Sequence, residues 1–162
     1  MRNVLFLCTG NSARSILAEA ILNKEGRGNF RAFSAGSWPK GEVHPNTVGL
    51  LRRLGLRDVR PALEILGGIC PARRARVRCR DHGVRQRRRR DLSDLAGQAG
   101  HGALIPDPAA ADGSAADVAQ AFENTYDRLF RQIGRFLALP LSTLDRHALK
   151  TKLMEIGRIE ER

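Results

Sequence analysis

Cys8-Thr9-Gly10-Asn11-Ser12-Ala13-Arg14-Ser15 stands between an apolar run and a helix-period pattern, and it leaves the chain few ways to fold. Asn3 to Leu7, with Val4-Leu5-Phe6-Leu7 at its centre, reads as a short strand. From Arg14 onward, Ile16, Leu17, Ala20, Ile21 and Leu22 recur at helical spacing. Lys24 to Asn29 is a polar, glycine-containing connection, and Phe30 to Ser34 reads as a second strand ending at Ala35-Gly36. A strand–helix–strand unit of this kind favours a parallel sheet with a right-handed crossover.

The turn itself predicts chemistry. Consecutive backbone N–H groups in a small-residue loop point inward, and the helix N-terminus adds partial positive charge. Arg14 can grip two oxygens of a tetrahedral anion through its planar fork. That positive field is expected to lower the pKa of Cys8, whose thiolate would be the nucleophile. Ser15 can donate to the thiolate, and Asn11 can brace the loop. A lone cysteine at a strand end is usually a small buried hydrophobe. Here the strand, the Gly-containing loop, the Cys-x5-Arg-Ser spacing and the helix together favour covalent chemistry on a phosphate-like oxyanion.

Val4 to Ala18 (VLFLCTGNSARSILA) resembles the active-site loop of the low-molecular-weight protein-tyrosine phosphatase superfamily, and CTGNSARS is most similar to its arsenate reductase branch. The resemblance resumes in Phe30 to Gly36, in Pro106-Asp107-Pro108 and through the C-terminal helices. It implies an α/β three-layer sandwich with a small four-stranded parallel sheet of order 2-1-3-4 flanked by helices. It also implies that Cys8 attacks arsenic or phosphorus and that Arg14 holds the oxygens. The backbone of Thr9, Gly10, Asn11, Ser12, Ala13 and Ser15 lines the oxyanion site. The resemblance also implies that Asp107 would protonate the leaving group, and its flanking prolines would restrain it for that role. Substrate would be arsenate or phosphate, and the electron donor of a reductase a thioredoxin-like protein; no cofactor is implied.

A chain of 162 residues suffices for one domain spanning 1–162. No stretch is long and apolar enough to span a membrane, and Met1 to Leu7 lacks the features of a signal peptide. Three cysteines suggest free or catalytic thiols rather than a disulfide framework. The expectation is a cytoplasmic monomer. His44, His82, His101 and His147 are scattered without metal-ligand spacing, so no metal is assigned.

The net charge of +11 suggests nucleic-acid binding, but its distribution argues otherwise. Residues 60–104 carry 11 Arg against 4 acidic residues, a surplus of seven, while the remainder has a surplus of four. That segment contains no Phe, Trp, Tyr, Lys, Met, Asn or Thr, and nothing between Arg73 and Arg90 resembles a buried parallel strand. The family places its third and fourth strands here. A shift of reading frame, which codon degeneracy permits without forcing, would account for the break. Read one base later, the codons for Leu66 to Cys70 permit Trp-Glu-Glu-Phe, and those from Val77 permit FDAVITVCDNAAGETCPIWPGKP, which resembles the arsenate reductase pattern. The two cysteines of that frame fall where Val84 and Leu92 stand. In the family those thiols attack the nucleophile's adduct in turn and release arsenite. Cys70 and Cys79 occupy no family position.

Trp38 to Pro45 reads as a loop, followed near Asn46 by a helix with Val48, Leu51 and Leu54 toward a core and Gly55 at its end. Ser114 with Asp117 resembles a capping box. It opens a long helix with Val118, Ala121, Phe122, Tyr126, Leu129, Phe130, Ile133 and Phe136–Leu137 on one face, terminated by Pro140. A last helix is predicted from about Leu144 to Gly157, and Arg158 to Arg162 reads as a frayed end.

Three other readings compete with the reductase. A tyrosine phosphatase needs only Cys8, Arg14 and Asp107, although Ala109-Ala110 stand where such enzymes usually place aromatics. An RNA- or membrane-binding protein would use Arg73 to Arg90, a run without interleaved aromatics. Loss of strands three and four would leave the Cys8 strand an edge and predicts low stability.

Overall fold

The structure, a computed structural model, describes residues 1–56 and 105–158, the side chain of Arg146 excepted. The anomalous segment 60–104, the predicted third and fourth strands, Cys70, Cys79, Val84, Leu92, His82, His101 and the tail 159–162 lie outside the described residues. The described residues fall into two compact units, one of residues 1–56 and 105–139 and one of residues 140–158.

In the first unit, β1 (Arg2–Cys8) pairs parallel with β2 (Phe30–Gly36), in register from Arg2 opposite Phe30 to Cys8 opposite Gly36. The helix α1 (Arg14–Glu25) makes the crossover between them and packs on both strands. The class is therefore α/β with a parallel sheet flanked by helices, as expected; among the described residues the sheet has two strands, β1-β2. Eight consecutive residues of α1, Ser15 to Leu22, are buried, so the helix is enclosed rather than amphipathic. Ile16, Leu17, Ile21 and Leu22 are at most 1% exposed. Each such side chain contributes about 1.5–3 kcal/mol by its burial. The Asn23 amide donates to the Ala32 carbonyl at 3.2 Å and accepts the Ala32 N–H at 2.8 Å. It thereby satisfies backbone groups of β2 that β1 does not reach.

Beyond the sheet, α2 (Pro45–Arg53) starts on His44, whose Nδ1 accepts from the Asn46 N–H, with Pro45 at the first helical position. Gly55, at φ +68°, ends it as predicted. Its buried face is Thr47, Leu50 and Leu51; of the expected Val48, Leu51 and Leu54, Leu51 is buried, Val48 is half-buried and Leu54 is not part of the face. Leu54 lies past the last helical residue and is 38% exposed, because the spacing i, i+3, i+4 starts one position earlier than the sequence suggests.

The capping box of Ser114 and Asp117 is present and opens α3 (Ala115–Leu137). Phe122, Thr125, Leu129 and Ile133 form its buried stripe. Thr125 rather than Phe130 is enclosed; Phe130 is 42% exposed and stacks beside Tyr126. α3 packs on α1, touches α2, and meets β2 through Phe136 and Phe30, whose centroids are 5.3 Å apart. In the second unit, α4 (Arg146–Arg158) follows a turn in which Thr143 bonds back to Pro140.

Candidate active site

Parallel pairing puts the ends of β1 and β2 side by side, and the turn after β1 wraps over that C-terminal edge. The carbonyls of this turn are directed outward. Ser37 N–H donates to Cys8 O, Trp38 to Thr9 O, Lys40 to Gly10 O and His44 to Ser12 O, all at 2.9 to 3.1 Å. The Thr47 hydroxyl, wholly buried, gives Ser12 O a second bond at 2.9 Å. In a trans peptide the C=O and the following N–H point opposite ways, and no described peptide is cis. The N–H groups of Thr9, Gly10, Asn11 and Ala13 therefore point away from those donors. That of Asn11 reaches the sulfur: Asn11 N–H donates to Cys8 Sγ at 3.2 Å.

Asn11 is the corner of the turn. It is fully buried and has φ 43°, the left-handed conformation that asparagine adopts more easily than most residues. Its Oδ1 accepts from Ser15 Oγ at 2.7 Å, and Ser15 Oγ lies 3.0 Å from Cys8 Sγ. A hydroxyl has one proton. With the thiol protonated, the S–H donates to Ser15 and Ser15 to Asn11; with a thiolate, Ser15 turns its proton to sulfur. Gly36 permits the whole arrangement, because a Cβ there would lie 2.9 Å from Thr9 O and 3.0 Å from Asn11 Cβ.

Ala13, with its carbonyl accepting from Leu17 N–H, precedes α1 without any side-chain cap, and the first turn holds no acidic residue. The leading donors of α1 and their partial positive charge are left for a ligand. Arg14 NH2 pairs with Asp107 Oδ2 at 3.1 Å and NH1 donates to Ile105 O at 3.1 Å. Among the described residues its buried Nε has no hydrogen-bond partner. Asp107 also accepts from Ala109 N–H at 3.2 Å, at the head of a single 3-10 turn over Pro108–Ala110. Asp107, far from Cys8 and Arg14 in sequence, is thus joined to their loop through Arg14.

Residues 3–60 match the family profile described as low molecular weight phosphotyrosine protein phosphatase. An arsenate reductase of Brevibacillus brevis is 42% identical over 55 residues, 34% of this chain. The chain spans 40% of that relative's length. The crystal structure of Primo-1 has a TM-score of 0.55 at 21% identity, covering 87% of this chain and 99% of its own, a likeness of fold. A thioredoxin-dependent arsenate reductase of Corynebacterium glutamicum is a looser match, at TM-score 0.36 and 24% identity over 58% of this chain and 61% of its own.

Several residues around this loop were not singled out from the sequence. The backbone of Ser37, Trp38, Lys40 and His44 and the hydroxyl of Thr47 orient it. The only sequence sign was the equal reach of the two parallel strands, which sets Gly36 beside Cys8.

Glu19, one turn beyond Ser15, is 6% exposed. Burial pushes its carboxyl above the usual range, and the hydroxyl and backbone of nearby Ser34 pull back only in part. Among the described residues, neither Glu19 Oε2 nor Ser34 Oγ has a partner of good hydrogen-bond geometry. The folded state thus holds this proton more tightly than the unfolded chain. The stability so gained is full below the ordinary value of 4.5 and is lost as pH rises through the raised folded value. Glu19→Gln, which cannot ionise, is expected to melt above the parent at neutral pH, with the gap closing in acid. Melting curves of both proteins across pH check this, and parallel curves would contradict it.

Proposed function

We propose that the chain is an arsenate reductase working by thiol chemistry, with Cys8 as nucleophile, Arg14 and the loop amides as oxyanion binders, and Asp107 as general acid. The observation that carries this reading is the Asn11 N–H donating to Cys8 Sγ inside a loop whose Cys8, Thr9, Gly10 and Ser12 carbonyls are bonded to the segment 37–44. A sulfur held there faces the same space as the loop's donors, so an oxyanion bound by those donors presents its central atom to the nucleophile.

In the first step the Cys8 thiolate gives its electron pair to arsenic. An S–As bond forms, an As–O bond breaks, and Asp107 gives its proton to the departing oxygen. A second thiol then attacks Cys8 sulfur. The S–S bond forms, the pair of the S–As bond stays on arsenic, and arsenite departs. The described residues supply the first step. Cys8 is the one cysteine among them, so the second thiol comes from elsewhere, with a thioredoxin-like dithiol as the terminal reductant. The likeness to the curated arsenate reductase over the Cys8 region supports the choice of arsenic.

A phosphatase is the second reading, since Cys8, Arg14 and Asp107 suffice for a cysteinyl-phosphate that water hydrolyses. The 3-10 turn after Asp107 presents only Pro108, Ala109 and Ala110, with no aromatic to flank a phosphotyrosine ring. Two assays on the purified chain separate the readings: arsenite formed from arsenate with a thioredoxin system, and aryl phosphate hydrolysis. Arsenite without appreciable aryl phosphate turnover is expected, and the reverse would establish the phosphatase.

A further inference from the structure

We propose that Lys40 is a second cationic arm of this oxyanion site, a binding residue that supplies net charge where Arg14 supplies geometry. The proposal rests on the reading of the Cys8 loop as an oxyanion site. Lys40 N–H donates to Gly10 O at 3.0 Å, which pins its backbone to the loop. Its side chain lies back along the same loop. Lys40 Cγ and Cε are each 3.5 Å from the place where a Gly10 Cβ would stand, and the ammonium is one bond further on. Lys40 is exposed, and it pairs with no carboxylate among the described residues.

Charge balance gives this placement its consequence. In the resting loop Arg14 is paired with the Asp107 carboxylate at 3.1 Å, so those two side chains sum to about zero until Asp107 takes up the proton it later donates. Cys8 reacts as a thiolate, which adds a negative charge beside the incoming ligand. Phosphate and arsenate carry between one and two negative charges near neutral pH. Loop amides and the end of α1 supply only partial charges. Among the described residues, Lys40 is the full positive charge at this loop that no carboxylate cancels, and it is what makes the site favour a multiply charged anion.

The test uses the full chain and inorganic phosphate as probe. Phosphate in the loop shields Cys8, so the rate of Cys8 alkylation by uncharged iodoacetamide, followed by mass spectrometry on the Cys8 peptide, reports occupancy. Trp38, the one tryptophan of the chain and two residues from Lys40, gives an independent fluorescence titration. Lys40→Met keeps the stem and removes the charge; Lys40→Arg keeps the charge. Lys40→Met is expected to raise the phosphate concentration for half-protection about three- to tenfold at low salt, with the difference shrinking at high salt. Lys40→Arg is expected to stay near the parent. Protection unchanged in Lys40→Met overturns the role of Lys40 and leaves the oxyanion site standing. Equal weakening in both variants at every salt concentration also overturns it, since packing rather than charge would then be at work. No protection of the parent at any phosphate concentration overturns the oxyanion reading, and this proposal with it.

Discussion

Cys8→Ser is expected to lose turnover by about 10⁴-fold or more while the variant still binds phosphate. The two halves of that expectation come from different parts of the loop. Turnover needs a nucleophile that gives up its proton near neutral pH, and a serine hydroxyl does so far less readily than a thiol. Binding needs the loop amides, the N-terminus of α1 and Arg14. These are held by the backbone bonds from Ser37, Trp38, Lys40 and His44 and by Thr47, none of which involves sulfur. The serine oxygen would still stand near Asn11 N–H and Ser15 Oγ, the two partners of Cys8 Sγ. Trp38 fluorescence titrated with phosphate measures binding, and arsenite production measures turnover. A variant that binds phosphate and turns over within tenfold of the parent would place the nucleophile elsewhere. One that no longer binds would mean that the sulfur helps to build the loop.

The strand–turn–helix–strand unit was legible because each part carries a strong local signal. Val4 to Leu7 is wholly apolar, α1 repeats its apolar residues at helical spacing, and the small residues from Thr9 to Ala13 can form neither element. The capping box at Ser114 was legible for the same reason, since its partners lie three residues apart. What the sequence hid was set by tertiary contacts. Whether Leu50 or Leu54 faces inward depends on where α2 stops, and Gly55 fixes that end only to within a residue. Thr125 is buried and Phe130 is not because α3 presents its Phe122–Ile133 stripe inward. In the candidate site, Cys8, Arg14 and Ser15 could be named from spacing alone. The pairing of Arg14 with Asp107 spans most of the chain and leaves no mark in either neighbourhood. The outward turn of the loop carbonyls depends on a segment whose side chains gave no sign, because backbone N–H groups do that work.

Arg14→Lys is the sharper test of geometry, with an expected loss of about 10²- to 10³-fold in kcat/KM although the charge is kept. The guanidinium meets three demands at once. Its NH1 donates to Ile105 O, its NH2 pairs with Asp107 Oδ2, and its buried Nε, without a partner among the described residues, is a third donor in a fixed direction. One ammonium on a flexible stem cannot reproduce three fixed directions, so Lys would serve Asp107 or the anion but not both. The loss should appear mainly in the chemical step, because the fork positions oxygens whose charge is redistributed as the thiolate attacks. Stability should change little, since the Arg14–Asp107 pair is partly exposed, at 27% and 38% for the two side chains. Asp107→Asn alone should also slow turnover by removing the proton donor, and the double variant should lose less than the sum of the two free-energy costs, because the residues are in contact. Rates of the four proteins, with melting curves to check folding, complete the cycle. Strict additivity would separate Asp107 from Arg14, and a lysine variant within a few-fold of the parent would reduce Arg14 to a point charge.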